Sequence, residues 1–203
     1  MLILGAGVGI ALWTHWNQWA AAQRMIALVY MLVPLHVWEE WRIPGGFGYQ
    51  YNWTMANSER PDRWPMNMLT DMITVFGAQW FGIVLLLIGA SKAALISQTF
   101  FSFAEVAMHL HFGNQMYRRF KSKGKRTLYN PGLATALVGF LPLFVFGTHV
   151  IIESAPDRYD FLSALGLLII FTGIVFLPER LIKSRPDGLE FSPGYYRRFI
   201  EKA

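Results

Sequence analysis

The chain has 203 residues, 54% of them hydrophobic and only 15% charged, with a formal net charge of +5 and a mean hydropathy of +0.32. A soluble domain carries about a quarter charged residues, so the composition points to a polytopic membrane protein. The absence of cysteine excludes disulfides, thiolate metal ligands and a cysteine nucleophile. The isoelectric point near 9.6 does not argue for nucleic acid, because the basic residues gather in loops between apolar blocks, where they report topology.

Six apolar segments follow in chain order, at about 1–16, 20–41, 66–90, 93–113, 131–153 and 160–178. Each approaches the ~20 residues that cross ~30 Å of hydrocarbon, the first being short enough for a partial or tilted span. The expected fold is an all-α, polytopic transmembrane helix bundle of about six spans, five if the N-terminal segment does not cross. It forms one domain over 1–180, followed by a basic cytoplasmic tail over 181–203. The first segment lacks a basic n-region and a small-residue cleavage site and is read as retained. Its Gly5, Gly7 and Gly9 are read as helix-packing glycines, since no dinucleotide-type continuation follows. The stretch 42–65, rich in Gly, Pro, Asn and aromatics, is expected as a surface loop with Tyr49, Tyr51, Trp53 and Trp64 as interface anchors.

Loop charge orients the bundle. Arg118, Arg119, Lys121, Lys123, Lys125 and Arg126 follow the fourth segment, and Arg180, Lys183, Arg185, Arg197, Arg198 and Lys202 follow the sixth. The positive-inside rule makes both regions cytoplasmic. The 42–65 loop and both termini then share that side, with Lys92 in a tight outer turn.

This topology brings polar groups from four helices to one depth. In "HVWEE" His36, Glu39 and Glu40 close the second segment; at about 100° per residue the two glutamates flank His36 on one face. The third segment starts there with Asn67, Thr70, Asp71 and Thr74, Asp71 being placed to favour the helix dipole. Glu105 and His109 are i, i+4 near the end of the fourth, whereas His111 points some 200° away from His109. Asn130, Pro131 and Gly132 open the fifth, with Asn130 as the expected N-cap. His149 and Glu153 form a similar pair at the outer end and are left out. A carboxylate in the hydrocarbon core costs roughly 2.5–3.5 kcal/mol, so this convergence asks for a compensating cation or proton.

His36-Val37-Trp38-Glu39-Glu40 resembles the motif that names the HXXEE family of integral membrane proteins, and Tyr129-Asn130-Pro131-Gly132 is similar to that family's later Tyr-X-Pro-Gly element. The resemblance covers roughly residues 20–155. It implies a compact membrane domain with a further histidine between the two motifs, for which His109 fits and His111 is the runner-up. It supplies no reaction.

Imidazole with carboxylate suits Zn²⁺, Fe or Mn²⁺. The leading expectation is a membrane metalloenzyme, a hydrolase with Zn or an oxidoreductase with Fe. His36, Glu39 or Glu40, Glu105 and His109 would hold one divalent metal with a position open to water, and the other glutamate with Asp71 would allow a second. Glu40 or Glu39 would act as catalytic general base. A lipid-like or amphiphilic substrate would enter from the bilayer and meet Tyr129, Asn130, Gly132 and Asp71, its anionic head group at the fifth helix's N-terminus. Two alternatives stand beside this reading. One is a metal-independent proton-transfer isomerase of sterol or isoprenoid type. The other is a non-catalytic membrane binding or transport module. No nucleic-acid partner is expected.

Overall fold

Local capping chemistry sets several helix starts in the computed structural model, which describes residues 1–182 and 189–201. The helices are α1 (Leu2–His15), α2 (Ala21–Trp41), α3 (Phe47–Ala56), α4 (Met68–Leu87), α5 (Lys92–Phe120), α6 (Leu133–Ser154) and α7 (Arg158–Ile182), with one turn, α8 (Arg197–Ile200), near the end. Among the described residues there is no strand. Lys183, Arg185 and Lys202, read as part of a basic tail, lie outside the described residues.

Asn67 caps α4: its Oδ1 accepts from the Leu69 and Thr70 N–H groups at 3.0 and 3.1 Å, while Thr70 Oγ1 accepts from the Asn67 N–H at 3.0 Å. Ser91 caps α5 through the Ala94 N–H at 3.2 Å. α6 departs from expectation. Asn130 does not cap it; the helix opens at Leu133 behind Gly132, which takes φ +96°, and carries a π turn at Ala136–Phe140. Its first N–H groups are served by a side chain from another helix.

Among the described residues four helices, α2, α4, α6 and α7, are long and apolar enough to cross a membrane, where the sequence suggests about six spans. α1 has 14 residues and reaches only about 21 Å. α5 has length to spare at 29 residues, but its hydropathy is diluted by Ser97, Gln98, Thr99, Ser102 and His109. These side chains are buried inside the protein, so their polarity never meets the surroundings. α7 is the converse: Leu162, Leu165, Ile169, Ile170 and Leu177 point outward, the arrangement lipid tails would cover and water would not.

Gly5 and Gly9 let α1 lie against Pro34 and Met31 of α2. Pro34 sits inside α2 and lacks the N–H that would bond the Tyr30 carbonyl four residues back. Gln79 Nε2 from α4 donates to that carbonyl at 3.1 Å, so a backbone group freed in an apolar interior regains a partner.

The 42–65 region is not simply a surface loop, since α3 runs through it. Tyr51 is buried and its hydroxyl donates to Glu179 Oε2 at 2.7 Å, so it faces the interior instead of anchoring an interface. Asn52 ties the loop together, donating to the Pro61 and Met66 carbonyls and accepting from the Met66 N–H. Residues 189–201 pack back onto this region. The Met68 N–H donates to Leu189 O, the Phe191 N–H to Asp62 O and the Tyr195 N–H to Gly45 O, while Tyr196 and Phe199 are buried against Met116 and Phe120 of α5. The charged end of the chain thereby caps one end of the bundle.

Candidate metal centre

Beneath that cap, α2 and α5 bring four side chains together, backed by the start of α6. His36 and His109 face each other with their Nε2 atoms 3.2 Å apart. Glu40 Oε1 stands 3.4 Å from His36 Nε2 and 3.3 Å from His109 Nε2. Glu105 Oε2 stands 3.4 and 3.7 Å from the same two nitrogens. His36, Glu40 and His109 are buried, and together they can hold a metal ion. Ligand atoms sharing a Zn²⁺ at about 2.0–2.2 Å each stand about 3–3.5 Å apart, which is the spacing among His36, Glu40 and His109.

Hydrogen bonds behind the rings assign the protons. Asn130 Nδ2 donates to the carbonyls of His109 and Leu128 at 2.9 and 3.1 Å, which turns Oδ1 toward His109 Nδ1 at 3.0 Å. That nitrogen must therefore carry the hydrogen. Thr135 has one hydroxyl hydrogen, with Glu39 Oε2 at 2.7 Å and Gly132 O at 3.1 Å to receive it. Its oxygen, 2.7 Å from His36 Nδ1, accepts from that ring. In the neutral rings both Nε2 atoms then present lone pairs, and they meet two carboxylate oxygens. With both rings in that tautomer four acceptors converge; a proton on either Nε2 would bridge the two rings, 3.2 Å apart, whereas a single cation would serve all four. Glu105 Oε2 is buried and has no hydrogen-bond partner, which is costly unless a cation supplies one.

Glu39 and Glu40 have different surroundings. Glu39 turns away from the cluster: it accepts from Tyr129 OH at 3.0 Å, the Ala134 N–H at 3.1 Å, and the Thr135 N–H and hydroxyl at 2.8 and 2.7 Å. It is the anion at the N-terminus of α6, supplied by α2. Burial and the adjacent Glu39 carboxylate push the Tyr129 phenol well above its ordinary range, so it remains a donor. With four donors satisfied, Glu39 supports His36 through Thr135 and is not among the converging atoms. An anionic head group expected at this helix end would find the position already filled.

Tyr129, Asn130 and Gly132 also lie behind the centre. Asn130 is fully buried and accepts from Gln50 Nε2 at 3.1 Å; Gln50 Oε1 in turn accepts from Tyr196 OH at 2.6 Å. Lys125, read from the sequence as part of a topology signal, is buried and donates to the Tyr129 carbonyl and, at 3.3 Å, to Tyr195 OH. Sequence reading singled out neither Thr135 nor Gln50. Thr135 lies just past a recognised turn, and Gln50 is the polar residue in an aromatic run.

In front of the centre lies a cavity of about 320 Å³ between α2, α4, α5 and α7. His36, Glu40 and Glu105 are on its wall, with Asp71, and so is Glu179, which the sequence left unmarked. His111 lies on the exposed face of α5 near Gln115. His149 and Glu153 pair at 3.2 Å in the open, some 20 Å along α6 from Thr135 at 1.5 Å per residue. His149→Ala should therefore leave metal content and thermal unfolding unchanged; loss of metal would relocate the site.

Helices long and apolar enough to cross a membrane, closed around a buried His/Glu cluster that could hold a metal ion, define the class of helical protein to which this chain belongs. Within that class the chain belongs to the family described as "Protein of unknown function with HXXEE motif", whose model matches residues 27–146. The match contains all four converging residues and ends within α6. No curated protein and no solved structure matched.

Proposed function

We propose that the protein is a metal-dependent membrane enzyme whose His36, Glu40, Glu105 and His109 hold one divalent ion at the edge of a cavity for an amphiphilic substrate. The observation that carries this reading is the spacing of the four acceptors. At 3.3–3.7 Å the nitrogen–carboxylate separations exceed ordinary N–H···O bonds of about 2.7–3.2 Å. Glu105 Oε2, though buried, aligns with no donor at all. Proton bridges would shorten and straighten some of these contacts, whereas a cation between them needs only their lone pairs.

Zn²⁺ would favour hydrolysis and Fe oxidation; the ion would polarise a substrate oxygen or activate a nucleophile. Glu40 borders both the centre and the cavity; in this proposal its Oε1 is a ligand and its second oxygen the general base. α5 crosses the membrane with the four apolar helices, and α1 enters it as a tilted or partial span. Arg118, Arg119, Lys121, Lys123 and Arg126 follow α5 at the end of the bundle that carries the centre, so the centre and the C-terminus face the cytoplasm, as does the N-terminus where α1 crosses.

Elemental analysis of protein purified in mild detergent without chelator tests the reading, with about one equivalent of Zn or Fe per chain as the expected result. Folded protein that takes up none of Zn²⁺, Fe²⁺ or Mn²⁺ on reconstitution would overturn it in favour of proton-transfer chemistry.

A further inference from the structure

The cavity carries more carboxylate than the centre requires. Its walls are apolar over most of their area, with Val33, Val37, Phe100, Phe101, Phe171 and Val175 among them, while Glu40, Glu105, Asp71 and Glu179 supply negative charge. No lysine or arginine lines it among the described residues. A divalent ion at the centre neutralises Glu40 and Glu105. It leaves Asp71 and Glu179.

Each of these two is held by one neutral donor. Asp71 Oδ2 accepts from Trp41 Nε1 at 2.7 Å, and Glu179 Oε2 accepts from Tyr51 OH at 2.7 Å. The second oxygen of each has no hydrogen-bond donor among the described residues. Asp71 is only 4% exposed, so its free oxygen faces the cavity and not bulk water. An ionised carboxylate in such a place is costly without compensation; a proton on the carboxyl supplies it in one state, and a cation entering the cavity can supply it in another.

We infer that the cavity takes a single-chain amphiphile with a cationic amine head, the ammonium meeting Asp71 and Glu179 and the chain lying along the valine and phenylalanine walls. This rests on the metal-centre reading for the neutralisation of Glu40 and Glu105, and adds the charge of the head group. Fatty acids and phosphate-headed lipids are disfavoured by like charge, and long-chain alcohols gain the apolar contacts alone.

The test uses the full chain, metal-loaded, in a neutral maltoside detergent, titrated separately with dodecylamine, dodecanol and laurate. Tryptophan fluorescence, with Trp41 bonded to Asp71 as the reporter, and unfolding temperature are the readouts. Dodecylamine should bind saturably and at least about tenfold more tightly than dodecanol, and laurate should not compete. Asp71→Asn/Glu179→Gln should bring dodecylamine down to the dodecanol level while leaving dodecanol binding intact. If that double variant does not fold, Glu179→Gln alone should still narrow the amine preference by about threefold.

Laurate binding as well as the amine would overturn the inference, and so would an amine preference that survives in the variants. A second metal ion per chain, lost on Asp71→Asn, would overturn it too, by assigning these carboxylates to a metal. Metal content measured on the same samples reports on the centre independently. A missing metal and a missing amine preference are therefore separate results.

Discussion

Glu40→Gln should strip the metal from the protein, and Glu39→Gln, one residue earlier with the same chemistry, should not. Glu40 Oε1 lies within 3.4 Å of both imidazole nitrogens. The amide keeps the side chain's shape but removes its negative charge, and with it a ligand. Affinity should fall by about a thousandfold or more, roughly 4 kcal/mol, and metal content after desalting should drop to background. Glu39 contacts the centre only through Thr135 and His36. Changes of that kind typically cost about 10–100-fold in affinity, so Glu39→Gln should remain metallated at saturating ion and show its loss in a competition titration with a chelator. It should also unfold at lower temperature, because the amide cannot serve four donors at the α6 terminus as the carboxylate does. Equal metal loss in the two variants would refute the division of roles.

That division marks where sequence reading stops. The i, i+4 spacings of His36 with Glu40 and of Glu105 with His109, together with the placement of helix ends at one depth, were enough to select all four converging residues. They could not separate Glu39 from Glu40, because the two lie on opposite flanks of His36 and either flank is a sensible place for a ligand. The choice is made by neighbours: α5 packs on the Glu40 side with His109, and α6 on the Glu39 side with bare N–H groups. Helix identity was legible for the same reason that span identity was not. Apolar runs of the right length announce the helices, whereas hydropathy cannot know that the polar face of α5 is turned inward. α3 escaped because glycine and aromatic residues in 42–65 read as a surface segment, although Phe47 and Gln50 are buried there. Asn130 was recognised as important and given the wrong partner. As a cap it would serve one helix end; here it orients a histidine, and a carboxylate from α2 does the capping.

Gly132→Ala should be among the most damaging single-methyl changes in the chain. The residue adopts φ +96°, and a carbon added to it would stand 2.7 Å from His109 Nε2 and 2.8 Å from Nδ1, closer still to Cε1. The left-handed backbone costs an alanine about 1–2 kcal/mol, and the ring cannot retreat without breaking its bond to Asn130. The expected result is a lower unfolding temperature together with at least about a hundredfold weaker metal binding. Gly166→Ala on α7, where an added carbon meets nothing within 4 Å, is the control and should be neutral or slightly stabilising, as alanine favours helix. Wild-type metal affinity in Gly132→Ala would show that the ring has room the structure does not give it. If affinity falls as expected, the two motifs have distinct duties. "HVWEE" supplies His36 and Glu40 to the centre and Glu39 to its support. "YNPG" builds the wall against which the second histidine is held: Tyr129 binds Glu39, Asn130 fixes the His109 proton, Pro131 accepts from Gln50 at 3.4 Å, and Gly132 leaves space for the ring.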